Sequence, residues 1–259
     1  MPRESRNIVL VGAGNVAYHL GMALKKTNNS LLGIANRGLT SGERLAFELG
    51  CPHLSGFDSI PEETDIVIIA VADDAIGEVA SKIFCPGKIV THTSGTQPLS
   101  ILQDASDRLG VFYPLQTMHR SASVDMESVP FCIEANSNWG EGVLLELASS
   151  ISENVHLVNS DQRKMLHLAA VLACNFSNHF YGLANDVLRS DGLDVSMLFP
   201  LIQQTAENVR SGNPHDHQTG PAARRDEEVM DRHIEELRSI DPKLAELYKV
   251  VSESIQNKS

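Results

Sequence analysis

Four short stretches hold the residues best suited to chemistry. The first is His167-Leu-Ala-Ala-Val-Leu-Ala-Cys-Asn175-Phe-Ser-Asn178. At helical spacing Asn175 falls about 80° and Asn178 about 20° from His167, so an imidazole and two amides share one stripe among small and apolar neighbours. An imidazole titrates near neutrality and suits proton donation. The three residues either orient and protonate a ligand or satisfy one another inside a helical core. The second stretch, Thr91-His-Thr93-Ser94-Gly95, offers two hydroxyls at the end of an apolar run. His92 there is either a general base or a hydrogen-bonded core residue. The third is Tyr113-Pro-Leu-Gln116. The fourth, His215-Asp-His217-Gln218-Thr219-Gly-Pro-Ala-Ala-Arg224, opens a helix whose free N–H groups suit an anion, with Arg224 able to clamp a carboxylate. Tyr113, Gln116, Gln218, Thr219 and Arg224 are therefore the candidate substrate contacts. His-x-His on a loop is a loose metal signal, and no metal site is expected.

These groups need a scaffold, and Asn7 to Leu24 indicates which one. Ile8 to Val11 is a β-branched run that reads as a buried strand, Gly12 and Gly14 follow, and Leu20, Ala23 and Leu24 recur at helical spacing. Strand, Gly-x-Gly-x-x-Ala and helix form the context of a dinucleotide-binding turn. Gly12 permits the tight turn, Gly14 lets a pyrophosphate approach the backbone, and Ala17 lets the helix pack on the strand. Gly12, Ala13, Gly14, Asn15 and Val16 would hold the pyrophosphate at the helix start. The second strand ends at Ala35-Asn36-Arg37, with no carboxylate to accept from a ribose 2′-hydroxyl. Asn36 and the Arg37 fork suit a 2′-phosphate instead, which predicts NADP(H) over NAD. Ligands in such sheets lie beyond the carboxyl ends of the strands. Val71 and Ala72 after the fourth strand, Thr93 and Ser94 after the fifth, and Tyr113 after the sixth are thereby expected near the cofactor.

The remaining pattern predicts strands over 31–36, 51–54, 65–71, 88–92, 109–113, 131–135 and 155–158. Helices are expected from Thr40, whose spacing to Glu43 fits a capping box, and from Asp73 or Asp74 as cap to about Ile83, with another over 139–151. Beyond Ser160 only helices are expected: one long helix over 161–190, a second over 194–210 broken at Pro200, a third over 222–239 and a last with Pro242 near its first turn, ending about Gln256. The predicted fold is α/β, a doubly wound, mostly parallel Rossmann sheet over residues 1–159 followed by an all-helical domain over 160–259.

Composition narrows the partners. A net charge of −12 argues against nucleic acid, and no apolar run approaches the roughly 20 residues of a membrane span. Cys51, Cys85, Cys132 and Cys174 form no Cys-x-x-Cys pair and read as reduced thiols. The first strand begins within a few residues of Met1, too soon for a signal peptide, so the cytoplasm is the expected compartment.

Gly12-Ala-Gly14-Asn-Val-Ala17, His92-Thr-Ser-Gly95, Tyr113-Pro-Leu-Gln116, His167-Leu-Ala-Ala170, Asn175-Phe-Ser-Asn178-His179 and Gln218-Thr-Gly-Pro-Ala222 together resemble a bacterial family described as "putative NADP oxidoreductases". Its members pair a Rossmann-like domain with a helical domain of unassigned function. The family is similar to 6-phosphogluconate, β-hydroxyacid and prephenate dehydrogenases, pyrroline-5-carboxylate reductases and deazaflavin-dependent NADP reductases. That resemblance implies an active site in a crevice between the domains and a homodimer formed through the helices. It supplies no substrate. β-Hydroxyacid dehydrogenases carry a catalytic Lys one turn before an Asn on this helix, whereas Val171 and Leu172 stand there in this chain. The expected activity is hydride transfer between NADPH and a small polar substrate, with Ser94, His167, Asn175 and Asn178 as catalytic residues. The alternative is a non-catalytic NADP(H) sensor or scaffold dimer.

Overall fold

The computed structural model describes residues 5–257. Packing divides the chain into two units, Met1–Ala173 and Cys174–Ser259.

The first unit opens with β1 (Asn7–Val11), α1 (Asn15–Leu24), β2 (Ser30–Ala35), α2 (Leu39–Leu49) and β3 (His53–Leu54). It continues through β4 (Ile66–Ile69), α3 (Ile76–Ala80), β5 (Ile89–His92) and β6 (Arg108–Pro114). β7 (Phe131–Ala135), α4 (Asn138–Ser149), β8 (Val155–Leu157) and α5 (Ser160–Ala170) complete it. The strands form one sheet in the order β3-β2-β1-β4-β5-β6-β7-β8. Every neighbouring pair is parallel except β6–β7, which is antiparallel.

The sheet is covered on both faces, which is why its central strands read as unbroken apolar runs rather than alternating ones. Ile8, Leu10, Ile66 and Ile68 enter one core with Leu45 and Leu49 of α2 and Leu144 and Leu147 of α4. Val9, Val11, Val67, Ile69 and Val90 point the other way, into a core with Ile76, Ala80, Ile83 and Leu102. Period-2 side-chain alternation thus fills two cores from the same strands.

Local corrections concern helix starts. Thr40 does not cap α2: Gly38 is the N-cap and makes no side-chain bond. Neither Asp73 nor Asp74 caps a helix to Ile83; a 3-10 turn, Asp73–Ala75, leads into the short α3. Asn159 does cap α5, in a reciprocal capping box with Gln162.

A π-helical segment, Val171–Phe176, follows α5. The second unit then runs through α6 (Ser177–Ser190), a 3-10 turn Val195–Leu198 and α7 (Phe199–Ser211). A 3-10 turn Pro214–His217, α8 (Pro221–Arg224), α9 (Glu227–Ile240) and α10 (Pro242–Gln256) complete it. Pro200 does not break a helix; it lies in the first turn of α7, where its missing N–H costs nothing. The helix expected over 222–239 is split, because Arg225 adopts a left-handed conformation (φ 56°) and Asp226 caps a new helix through the Val229 N–H. α10 packs on α8 and α9, burying Ala222, Met230, Ala245 and Ser252. Among the described residues no helix is long and apolar enough to cross a membrane.

Candidate active site

The glycine turn after β1 is shaped by backbone contact. Gly12 has φ +116°, and an added Cβ would lie 2.4 Å from the Ala70 carbonyl oxygen. Its N–H donates to the Ala35 carbonyl at 2.8 Å, tying the turn to the end of β2. Gly14 is the opposite case: a Cβ there would meet nothing within 4 Å. It is the N-cap of α1 and provides no side-chain oxygen, and the first turn holds no acidic residue. The amides at the start of this ten-residue helix therefore remain available to an anion.

Above this turn lies a cleft of about 570 Å³. Gly12, Ala13, Gly14, Asn15 and Val16 floor it, Asn36 and Ser41 stand at the β2 end, and Val71 and Ala72 come from the end of β4. Asn36 Nδ2 donates to the Gly38 carbonyl at 2.8 Å and to Ser41 Oγ at 3.0 Å, which orients both side chains. Arg37 projects beside them with its side chain 83% exposed, 3.7 Å from Glu78 Oε1. Gln116 and Met118 reach the cleft from the loop after β6. Arg120 holds that loop, stacking its guanidinium 4.8 Å over the Tyr18 ring and pairing with Glu48. The room over Gly14 and the free amides of α1 fit the pyrophosphate of a dinucleotide, and the polar end at Asn36 fits its adenosine ribose.

At the end of β5 the hydroxyls are committed to the protein. Ser94 Oγ donates to Asp73 Oδ2 at 2.7 Å and accepts from the Thr96 and Gln97 N–H groups, each at 3.0 Å. Thr96 Oγ1 also donates to Asp73 Oδ2, at 2.7 Å. Thr93 Oγ1 turns back to the Ile69 carbonyl at 3.5 Å. His92 is fully buried, and its Nδ1 accepts from the Ser94 N–H at 3.1 Å. Burial, reinforced by the charge of Arg163, pulls its pKa down to about 4, so the ring is neutral near pH 7.

Tyr113 at the end of β6 meets His167 on α5, with Oη 3.0 Å from Nδ1. Burial pushes the phenol pKa up to about 12. One turn before His167, Arg163 is completely buried. It pairs with Glu134 on β7 and donates to the Gln97 carbonyl (2.6 Å) and Ser160 Oγ (3.2 Å). Arg163 thus fastens α5 to the strand ends and fixes where His167 stands.

The other predicted residues belong to the second unit. Asn175 lies in the π segment and Asn178 in the first turn of α6, and both are exposed. Uniform α-helical spacing does not continue through a π segment, so the single stripe drawn from His167 to Asn178 is not a valid construction. Gln218 Nε2 donates to the Thr219 carbonyl at 3.1 Å. Thr219 borders an apolar cavity of about 320 Å³ with Phe180, Leu183 and Val251. Arg224 ends α8 and is exposed. No cluster of metal-ligating side chains occurs among the described residues.

Sequence reasoning missed Glu134, Arg163 and Arg120, and it read Asp73 as a helix cap rather than as the partner of Ser94 and Thr96. A carboxylate inside the apolar strand Phe131–Ala135 was the available signal for the Glu134–Arg163 pair, since a buried charge requires a partner.

Fold and cleft define a Rossmann-like protein with an appended helical unit. Residues 2–119 match the Rossmann-like domain, and residues 129–255 match a domain of unknown function, DUF2520. The chain is 35% identical to a "putative NADP oxidoreductase" from Bacteroides fragilis over 98% of both chains, with a TM-score of 0.90, and it belongs to that family. Its fold is also that of pyrroline-5-carboxylate reductase from Streptococcus pyogenes (16% identity, 98% of this chain and 99% of that one, TM-score 0.67). A reductive aminase from Aspergillus terreus, solved with NADPH and ethyl levulinate, shares it too (12% identity, 98% and 95%, TM-score 0.73). Comparison with curated proteins finds no match.

Proposed function

We propose that this protein is an NADP(H)-dependent oxidoreductase acting on a small polar molecule. The observation that carries the reading is the cleft over Gly14, where open space above a free helix N-terminus continues to Asn36 and Ser41. Family membership beside a "putative NADP oxidoreductase" and the fold shared with an NADPH-bound reductive aminase support it. Gly12, Ala13, Gly14, Asn15 and Val16 bind the pyrophosphate through backbone N–H groups. Asn36 and Arg37 take the 2′-phosphate, for which Arg37 turns from Glu78. Val71, Ala72 and Thr93 border the nicotinamide, and Ser94 holds the β5 loop beside it through Asp73.

The cofactor, when bound, supplies or accepts a hydride. His167 supplies the proton-carrying group that faces the substrate, and Tyr113 bonds to it. Asn175, Asn178, Gln116, Gln218, Thr219 and Arg224 contribute substrate contacts. The second unit leaves Leu193, Met197, Phe199, Leu201 and Val209 exposed, an apolar load that favours a homodimer formed through the helices. All four cysteines are free, which fits the reducing cytoplasm.

The test is NADPH oxidation over a panel of imines, ketoacids and aldehydes, followed by His167→Ala with any compound reduced. Turnover by the wild type and loss of at least about 100-fold in the variant are expected from general acid–base roles. Binding of NADPH without oxidation of any panel member favours a non-catalytic sensor or scaffold. Undiminished turnover by His167→Ala removes the role given to that residue.

A further inference from the structure

We propose that Tyr113 and Gly95 form a positioning pair that fixes the tautomer of His167, holding Nδ1 as an acceptor and leaving the ring proton on Nε2. The proposal rests on the reductase reading for its use, but not for its geometry.

The first argument is hydrogen counting. Tyr113 is 9% exposed, and its Oη has one partner among the described residues, His167 Nδ1 at 3.0 Å. A phenol has one hydrogen to donate, and a neutral imidazole has one donor and one acceptor nitrogen. If Nδ1 were the donor, the phenol hydrogen would have no acceptor among the described residues, and the pair would offer two donors and lose this partner for one of them. The O–H therefore donates to Nδ1, and Nε2 of the neutral ring carries the hydrogen.

The second argument is space. A Cβ on Gly95 would stand 2.6 Å from His167 Nδ1, 2.8 Å from its Cγ and 2.9 Å from Tyr113 Cζ. Both rings sit directly on the backbone of the Thr-Ser-Gly turn. Their centroids are 6.1 Å apart and their planes inclined by 60°. Any side chain at position 95 pushes the imidazole off that surface. Gly95 is thus required by the ring pair, since its own backbone has no positive φ to explain the residue type.

The consequence concerns substrate class. Nε2 makes no hydrogen bond among the described residues, so a ligand meets an N–H there. An N–H recognises an acceptor: the oxygen of a carbonyl or the lone pair of a neutral imine nitrogen. It does not recognise a protonated amine. His167 then polarises the acceptor atom of the bond being reduced, and Tyr113 and Gly95 act through it without touching the substrate.

Long-range ¹H–¹⁵N correlation of histidine-labelled apoprotein at pH 8.5 tests the tautomer directly. The signals lost in His167→Gln assign the ring. A protonated Nε2 is expected, with an Nδ1 resonance that moves downfield in Tyr113→Phe and again in Gly95→Ala. Unchanged signals from the other histidines certify the fold, and Tyr113→Phe decides alone if Gly95→Ala does not fold. A protonated Nδ1, or an Nδ1 signal unmoved in Tyr113→Phe, overturns the proposal. With a reduced panel compound, Tyr113→Phe is expected to lower kcat about tenfold while KM stays within about twofold, the pattern of a lost transition-state contact. If the tautomer is as stated and no compound is reduced, the positioning pair stands and the reductase reading fails.

Discussion

Ser94 Oγ donates to Asp73 Oδ2 at 2.7 Å and, with Thr96 Oγ1 on the same oxygen, ties the turn after β5 to the turn after β4. The Ser94 hydroxyl also receives the Thr96 and Gln97 N–H groups. Ser94→Ala leaves both amides and part of the carboxylate without this partner. A loss of about 1–3 kcal/mol in urea denaturation is expected. Asp73→Asn keeps a side-chain acceptor and is expected to cost less than about 1 kcal/mol.

Arg163 and Glu134 hold α5 on the sheet from within. Arg163→Met leaves the Glu134 carboxylate without its cation, and the expected cost is about 3–5 kcal/mol in the same assay. Adding Glu134→Leu removes the stranded charge and is expected to restore much of that loss. A double variant less stable than Arg163→Met would contradict the role given to the pair.

The two glycines of the turn are expected to fail differently. Gly12→Ala drives a Cβ against the Ala70 carbonyl from a backbone with φ +116°, and the apoprotein is expected to lose at least about 2 kcal/mol. Gly14 has φ −80° and open space, so Gly14→Ala is expected to leave apoprotein stability within about 0.5 kcal/mol. Its methyl group would instead occupy the ground where the pyrophosphate approaches. Thermal unfolding of the two variants, with and without NADPH, separates the effects.

His92 makes stability depend on pH. Its folded pKa lies near 4, below the usual 6.5, so between those values the unfolded chain binds more protons than the native one. The stabilisation is present above about pH 6.5 and is lost as pH falls through 4. Its full size is roughly 3 kcal/mol for a shift of this extent. His92→Asn retains a polar atom at the δ position and is expected to flatten the slope of unfolding free energy between pH 6.5 and 4. An unchanged slope in that window would mean that another group sets it.

Most of the fold was legible because its strands are covered on both faces. Apolar runs such as Ile66–Ile69 advertise themselves, and Gly12 and Gly14 fall between strand and helix, the spacing of a dinucleotide-binding turn. β7 begins and ends where the pattern placed it, and α10 has Pro242 in its first turn as expected. Capping was harder to read, because a side chain with several possible partners chooses by tertiary context. Asp73 had the composition of an N-cap and instead serves Ser94 and Thr96. The π segment at Val171–Phe176 was invisible, since its residues are ordinary helix formers and the change lies in backbone pairing alone. The Tyr113–His167 bond joins residues 54 apart in sequence, so only the folded chain reveals it.

Parallel titration of the apoprotein with NADPH and NADH, read by calorimetry, tests the central claim most directly. NADPH is expected to bind at least about tenfold more tightly, the margin given by one charge-assisted contact to the 2′-phosphate. Binding of neither nucleotide would contradict the assignment of the cleft, and NADH binding as tightly as NADPH would contradict the 2′-phosphate contact at Asn36 and Arg37.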